Sequence, residues 1–158
     1  MRWNELDQEP CSIARTLSVI GDRWTMLILR EIFFRHRRFE EIQSVLNITR
    51  PVLAQRLRKL VSEGVLRKAA YQSQPTRYEY RLTEKGAALS PVMMAVMHWG
   101  DTQMLPPGAP RAVHLRHCTC NAQFDPVMTC SACHEPLTPK TVRMERRGVE
   151  LSPELTPL

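Results

Sequence analysis

The sequence predicts a mainly α fold with a small β component, an α+β domain followed by a small, β-rich Cys/His module. Three observations lead there. Four segments between residues 10 and 64 space their apolar residues as helices do. Two segments between residues 65 and 82 read as paired strands. Four of the five cysteines fall after a Pro-rich stretch at 106–112.

The first helix is expected over Pro10–Ile20, because Ile13, Leu17 and Ile20 form one apolar stripe. Gly21 suits a left-handed helix end, and the Asp22 carboxylate can cap the next helix. That next helix, Trp24–Phe34, is apolar almost all round and belongs in the middle of a domain. The basic run at 35–38 marks an exposed turn. A third helix follows over Arg38–Leu46, with Phe39, Ile42, Val45 and Leu46 inward and Asn47 at its end. Thr49 is the expected N-cap of a fourth helix, with Pro51 in its first turn. Leu53, Leu57, Leu60 and Val61 face inward there, Arg50, Gln55, Arg56 and Lys59 face elsewhere, and Gly64 stops it.

Val65–Tyr71, the loop Gln72–Thr76 and Arg77–Leu82 read as a β-hairpin, with Tyr78, Tyr80 and Leu82 on one face. Thr83 caps a last helix that Pro91 kinks or restarts. Beyond Pro91, Val92, Val96 and Trp99 form one apolar stripe and Met93, Met97 and Met104 a second. The expected organisation is a domain over 8–105, a linker over 106–113, a Cys/His-rich module over 114–145 and a disordered tail over 146–158. No internal repeat is visible in the sequence.

The net charge is +6. Residues 35–68 hold nine Lys and Arg against three acids, so this stretch alone matches the whole excess. Such a local surplus is the electrostatic footprint of a phosphate-binding surface. No run of 18 apolar residues is present, and the first fifteen residues lack the apolar centre of a secretory signal. A cytoplasmic location with reduced thiols is therefore expected, without membrane contact. No nucleophile–base pair or phosphate loop is visible, so no enzyme is predicted.

Short helix, tight turn, second helix, then hairpin is the order of a winged helix-turn-helix. The second helix of the pair enters the major groove of double-stranded DNA, led by its N-terminal residues. That assigns Thr49, Arg50, Val52, Gln55, Arg56 and Lys59 to DNA, together with Arg37 and Arg38 in the basic turn. Arg50 and Arg56 could fork onto guanine or grip phosphate, and the sequence leaves both roles open. Gln74, Thr76 and Arg77 at the hairpin tip would meet the DNA backbone or minor groove.

Several segments carry a family resemblance: Cys11 with the following helix, Gly21-Asp22-Arg23-Trp24, the run from Pro51 through Leu60, and Tyr80-x-Leu82-Thr83-x-x-Gly86. In these the chain resembles the HxlR-type transcriptional regulators, relatives of the MarR family, over about residues 8–105. Where that family usually has Pro after the first Cys, this chain has Ser12. The resemblance implies a homodimeric repressor or activator on a palindromic operator, paired through its first and last helices. Ile13, Leu17, Val92, Met93, Val96, Met97, Trp99 and Met104 are the expected interface. It also implies a role for Cys11 in sensing an oxidant or small electrophilic effector. A helix N-terminus beside Arg15 favours the reactive thiolate form of such a residue.

Cys118, Cys120, Cys130 and Cys133, with His114 as an alternative ligand, suggest a zinc-ribbon-like site. A regular ribbon has two C-x-x-C turns, whereas the first pair here is C-x-C. The competing reading is a metal-free hairpin with free or disulfide-paired thiols. The alternative function is a thiol-redox or protein-interaction adaptor built on this module, although no thioredoxin-like βαβ pattern surrounds its C-x-x-C.

Overall fold

The structure, a computed structural model, describes residue 8 and residues 10–143. The tail expected over 146–158 lies outside the described residues, as do the last two residues of the 114–145 module. The element order is α1 (Ser12–Ile20), α2 (Thr25–Phe33), α3 (Phe39–Leu46), α4 (Arg50–Ser62), β1 (Leu66–Ser73), β2 (Thr76–Leu82), α5 (Glu84–Ala87) and α6 (Ser90–Gln103). The chain divides into two compact units, Met1–Val96 and Met97–Leu158, with the boundary inside α6.

The first unit is a winged helix. Its core gathers Ile28, Leu29 and Ile32 from α2, Ile42 from α3, Leu53, Leu57 and Leu60 from α4, and Val65, Leu66 and Tyr80 around the hairpin. The period-3.6 stripe of α4 is thus the face that buries. Val45, expected inward, is exposed instead, because the buried face of α3 runs through Phe39, Ile42 and Leu46, and Val45 falls beside it.

Caps set the helix boundaries. Asp22 Oδ1 accepts from the backbone N–H of Trp24 (3.0 Å) and Thr25 (3.2 Å), so its carboxylate starts α2. Gly21 has φ −78°, so α1 ends without the left-handed residue expected there. Asn47 does take that conformation, with φ 47°, after α3, and Gly64 takes it with φ 69° after α4. At the start of α3, Glu41 Oε2 accepts from the N–H of Arg37 and of Arg38, each at 3.0 Å. Only this half of a capping box can form, since Arg38 has no side-chain acceptor. Thr83 Oγ1 accepts from Gly86 N–H at 3.1 Å and starts α5. Pro91 follows in the first turn of a separate helix, α6, where its missing N–H costs nothing.

The hairpin is longer than the alternation indicated. β1 runs on to Ser73 and β2 begins at Thr76, with an irregularity between Ala70 and Gln72 that leaves Tyr71 outside the ladder. The tip is braced by Thr76 Oγ1 donating to Ser73 O (3.1 Å) and Gln72 Nε2 donating to Gln74 O (2.9 Å). Tyr78 and Tyr80 alternate as expected, but Tyr78 is 50% exposed because a two-stranded sheet reaches past the core at its tip.

The second unit contains no strand among the described residues, only the isolated bridges Arg116–Gln123 and Thr129–Pro136. The β-rich module expected there therefore does not form as a sheet. Pro126, Pro136 and Pro139 remove ladder donors from so short a segment. In place of a sheet the unit carries two tight turns related by a thirteen-residue offset. His117 N–H donates to Ala122 O and Cys130 N–H to Glu135 O, both at 2.9 Å. Asn121 N–H donates to His117 O and His134 N–H to Cys130 O. Phe124 N–H donates to Leu115 O and Leu137 N–H to Met128 O. Asn121 and His134 both have positive φ, 57° and 62°. This is an internal repeat where none was expected. It is written in backbone hydrogen bonds, with few identical side chains to betray it.

Candidate nucleic-acid interface

α4 presents Thr49, Arg50 and Gln55 to solvent, with Val52 half-buried beside them. The Arg50 guanidinium lies over the Phe39 ring, 4.7 Å from its centroid, which holds the charged head without neutralising it. Arg56 and Lys59 sit on another side of the helix. Arg56 pairs with Asp22 at 3.0 Å, and Lys59 Nζ donates to the Ser18 carbonyl. Both are half-buried. Of the α4 residues assigned to DNA from sequence, these two are held within the fold, while Arg50 and Gln55 stand clear.

Arg38 lies over the Tyr71 ring at 4.5 Å and also approaches Glu41 Oε1 at 3.7 Å. Arg37 turns its carbonyl to the hairpin, accepting from Tyr80 N–H at 2.8 Å, so the basic turn is stitched to the wing. Gln74, Thr76 and Arg77 are all exposed at the wing tip.

Between the start of α4 and the hairpin lies a cleft of about 550 Å³. Arg50, Lys68, Arg77, Tyr71, Tyr78 and Thr76 line it, with Phe39, Tyr80 and the single acid Glu40. Lys68, Tyr71 and Tyr78 are not among the DNA contacts assigned from the sequence. The available signal was an aromatic beside a cation on a strand too short to be covered on both faces. Lys68 Nζ lies 5.9 Å from the ring centroids of both Tyr78 and Tyr80. Burial pushes the Tyr80 phenol above its usual pKa, so it stays a neutral hydrogen-bonding group against this cationic wall.

The residues expected at a dimer interface divide. Ile13, Leu17, Val92 and Val96 are exposed and line an apolar groove of about 540 Å³ in the first unit, with Ile20 and Met26 at its floor. Met93 is buried in the core of its own domain, because its position on α6 faces inward. In the second unit Trp99 and Met104 are exposed and Met97 is half-buried. Cys11 is exposed at the N-cap of α1, immediately before the groove residue Ser12; the Arg15 guanidinium nearby donates to Ser12 Oγ at 3.4 Å.

Cys118, Cys120 and Cys133 are exposed and Cys130 half-buried, and none of the four forms a disulfide. Among the described residues no three His, Cys, Asp or Glu side chains gather into one metal-binding cluster. Donors do converge in pairs: His117 Nδ1 lies 3.2 Å from Cys120 Sγ. The backbone N–H groups of Cys133 and Ala132, with the Cys133 side chain, hold the Cys130 thiol below its usual pKa. His114 is exposed and joins neither pair. No helix among the described residues is long and apolar enough to cross a membrane.

Comparison with known proteins agrees with this geometry. The HTH-type transcriptional regulator Rv3095 of Mycobacterium tuberculosis, itself uncharacterised, is 44% identical over 134 residues, 85% of this chain and 84% of that protein. Among solved structures, PA1607, a candidate transcription factor, superposes with TM-score 0.78 at 35% identity, covering 89% of this chain and 97% of that one. The redox regulator HypR in its oxidised form superposes with TM-score 0.55 at 30% identity, covering 61% of this chain and all of that one. Residues 19–107 match the HxlR-like helix-turn-helix family. With the basic cleft formed by α4 and the wing, that match over more than half its length places the chain in the HxlR-like helix-turn-helix family of transcriptional regulators.

Proposed function

We propose that the protein is a homodimeric repressor that grips a palindromic operator with two copies of α4 and the wing. The observation that carries this reading is the cleft where Arg50, Lys68 and Arg77 converge between recognition helix and hairpin. Arg50 and Gln55 supply the base-reading donors and acceptors, and Lys68, Arg77, Thr76 and Gln74 take backbone phosphates. Dimerisation is supported by the groove of Ile13, Leu17, Val92 and Val96. Leaving Ile13 68% and Val96 53% exposed is costly for an isolated subunit. A two-fold pair would read half-sites about one helical turn, ~34 Å, apart or a multiple of it. Repression follows from occupancy of such a site by both subunits.

Fragments of genomic DNA selected by the purified protein, followed by fluorescence anisotropy on the enriched sequence, test the reading. Arg50→Ala is expected to weaken specific binding by about 1–3 kcal/mol with wild-type folding. Val96→Asp is expected to yield a monomer by sedimentation that binds a half-site only. Selection of no sequence, or a monomeric wild-type protein on its operator, would refute the proposal.

Cys11 supports a second layer of the same function. It is exposed, starts α1 and abuts the groove, and HypR, a redox regulator, shares the winged domain at 30% identity. Oxidation or alkylation of this thiol would alter how α1 meets the partner subunit. Operator release by peroxide or a quinone is expected in wild type and absent in Cys11→Ser; an unchanged response in the variant would remove Cys11 from the mechanism.

A further inference from the structure

The two tight turns of the second unit superimpose residue for residue in their hydrogen bonding, and this equivalence selects metal ligands the sequence does not. The thirteen-residue offset aligns His117 with Cys130, Cys120 with Cys133, and the left-handed Asn121 with His134. Cys118 aligns with Ser131, at the apex of its turn. Each turn therefore offers donors at its first and fourth positions, His-x-x-Cys in one and Cys-x-x-Cys in the other. The backbone geometry, not the count of cysteines, says which side chains share a position.

We infer that His117, Cys120, Cys130 and Cys133 are the four ligands of a structural zinc ion, and that Cys118 lies outside the set. Three observations carry this. The first pair already converges, with His117 Nδ1 3.2 Å from Cys120 Sγ. The second turn closes in the same way, Cys130 N–H donating to Glu135 O and His134 N–H to Cys130 O, both at 2.9 Å, so Cys130 and Cys133 take the places that His117 and Cys120 take in the first. Among described residues 97–143 none is buried, so this unit has no apolar core to hold it. A segment that cannot bury enough surface is stabilised by a cross-link or a metal, and the cysteines here are unpaired. Three thiolates and one imidazole are a borderline-soft tetrahedral set, which suits zinc over magnesium or calcium. Among the described residues the donors meet only in pairs, so binding requires the two turns to close on one another around the ion, and it displaces the three thiol protons to solvent.

Full-length protein, grown in zinc-supplemented medium and purified without chelator, is expected to contain one zinc per chain by elemental analysis. Cys118→Ser keeps it. His117→Ala, Cys120→Ser, Cys130→Ser and Cys133→Ser each lose it. Replacement by Co²⁺ is expected to give tetrahedral d–d bands with thiolate charge transfer. His117→Cys is expected to restore metal binding and to raise that charge-transfer absorption, a change that a merely structural role for His117 would not produce. A metal-free wild-type protein that takes up no added zinc overturns the inference. So does zinc retained by His117→Ala or lost from Cys118→Ser.

Discussion

Arg56 Nε of the recognition helix lies 3.0 Å from Asp22 Oδ1 in the turn between α1 and α2, an ion pair whose N–H direction misses hydrogen-bond alignment. The same Asp22 carboxylate accepts from the N–H of Trp24 and Thr25 and from Thr25 Oγ1. One carboxylate thus both starts α2 and sets how α4 lies against it.

Asp22→Ala is expected to destabilise the protein by about 1.5–3 kcal/mol, since it removes a helix cap and strands a half-buried guanidinium. Arg56→Ala should cost less, because the cap survives. In urea unfolding the double variant is expected to be less destabilised than the sum of the singles by about 0.5–1 kcal/mol. Additive effects would show that the two side chains act independently.

Gly86 is required by space. A Cβ built there would sit 2.1 Å from the Val65 carbonyl oxygen and 3.1 Å from Leu82 Cδ2. That carbonyl cannot retreat freely, because it accepts from Thr83 N–H (3.1 Å), while the Thr83 hydroxyl donates to the adjacent Gly64 carbonyl (2.6 Å). Gly86→Ala is expected to cost about 1–3 kcal/mol despite the higher helix propensity of alanine. A lowered denaturation midpoint checks this; an unchanged or raised midpoint contradicts it.

Glu41 links stability to pH. The N–H of Arg38 is the main cause that holds its carboxyl below the usual range, opposed by burial and helped by Arg37 N–H. A carboxylate with a lowered folded pKa stabilises the protein above the ordinary value near 4.5 and loses that contribution as pH falls through the folded value. The side chain is 39% exposed, so solvent screens the effect to about 0.5–1 kcal/mol. Glu41→Gln is expected to lower stability at pH 7 by that amount and to converge with wild type as the pH falls from 4.5 through the lowered folded value. A constant difference across that range would remove the ionised cap from the explanation.

The winged domain was legible because its determinants are local and periodic. The stripe Leu53, Leu57, Leu60 and the alternation Tyr78, Tyr80 each declare a face before any tertiary contact is known. Caps at Asp22, Asn47 and Thr83 act within a few residues, so they too could be read in one dimension. Gly21 was misread because a glycine permits the left-handed conformation without demanding it; here α1 turns into Asp22 with negative φ.

By itself, then, the sequence determined the helix faces, the hairpin and the cationic stretch, since each rests on short-range spacing and charge. Only tertiary structure decided that Arg56 and Lys59 are spent on Asp22 and Ser18 while Lys68 and Tyr71 enter the cleft with Arg50. Only tertiary structure turned Met93 inward, and only backbone hydrogen bonds paired His117 with Cys130. Long-range partners compete for the same side chains at no fixed spacing, so a pattern along the chain cannot say which of them wins.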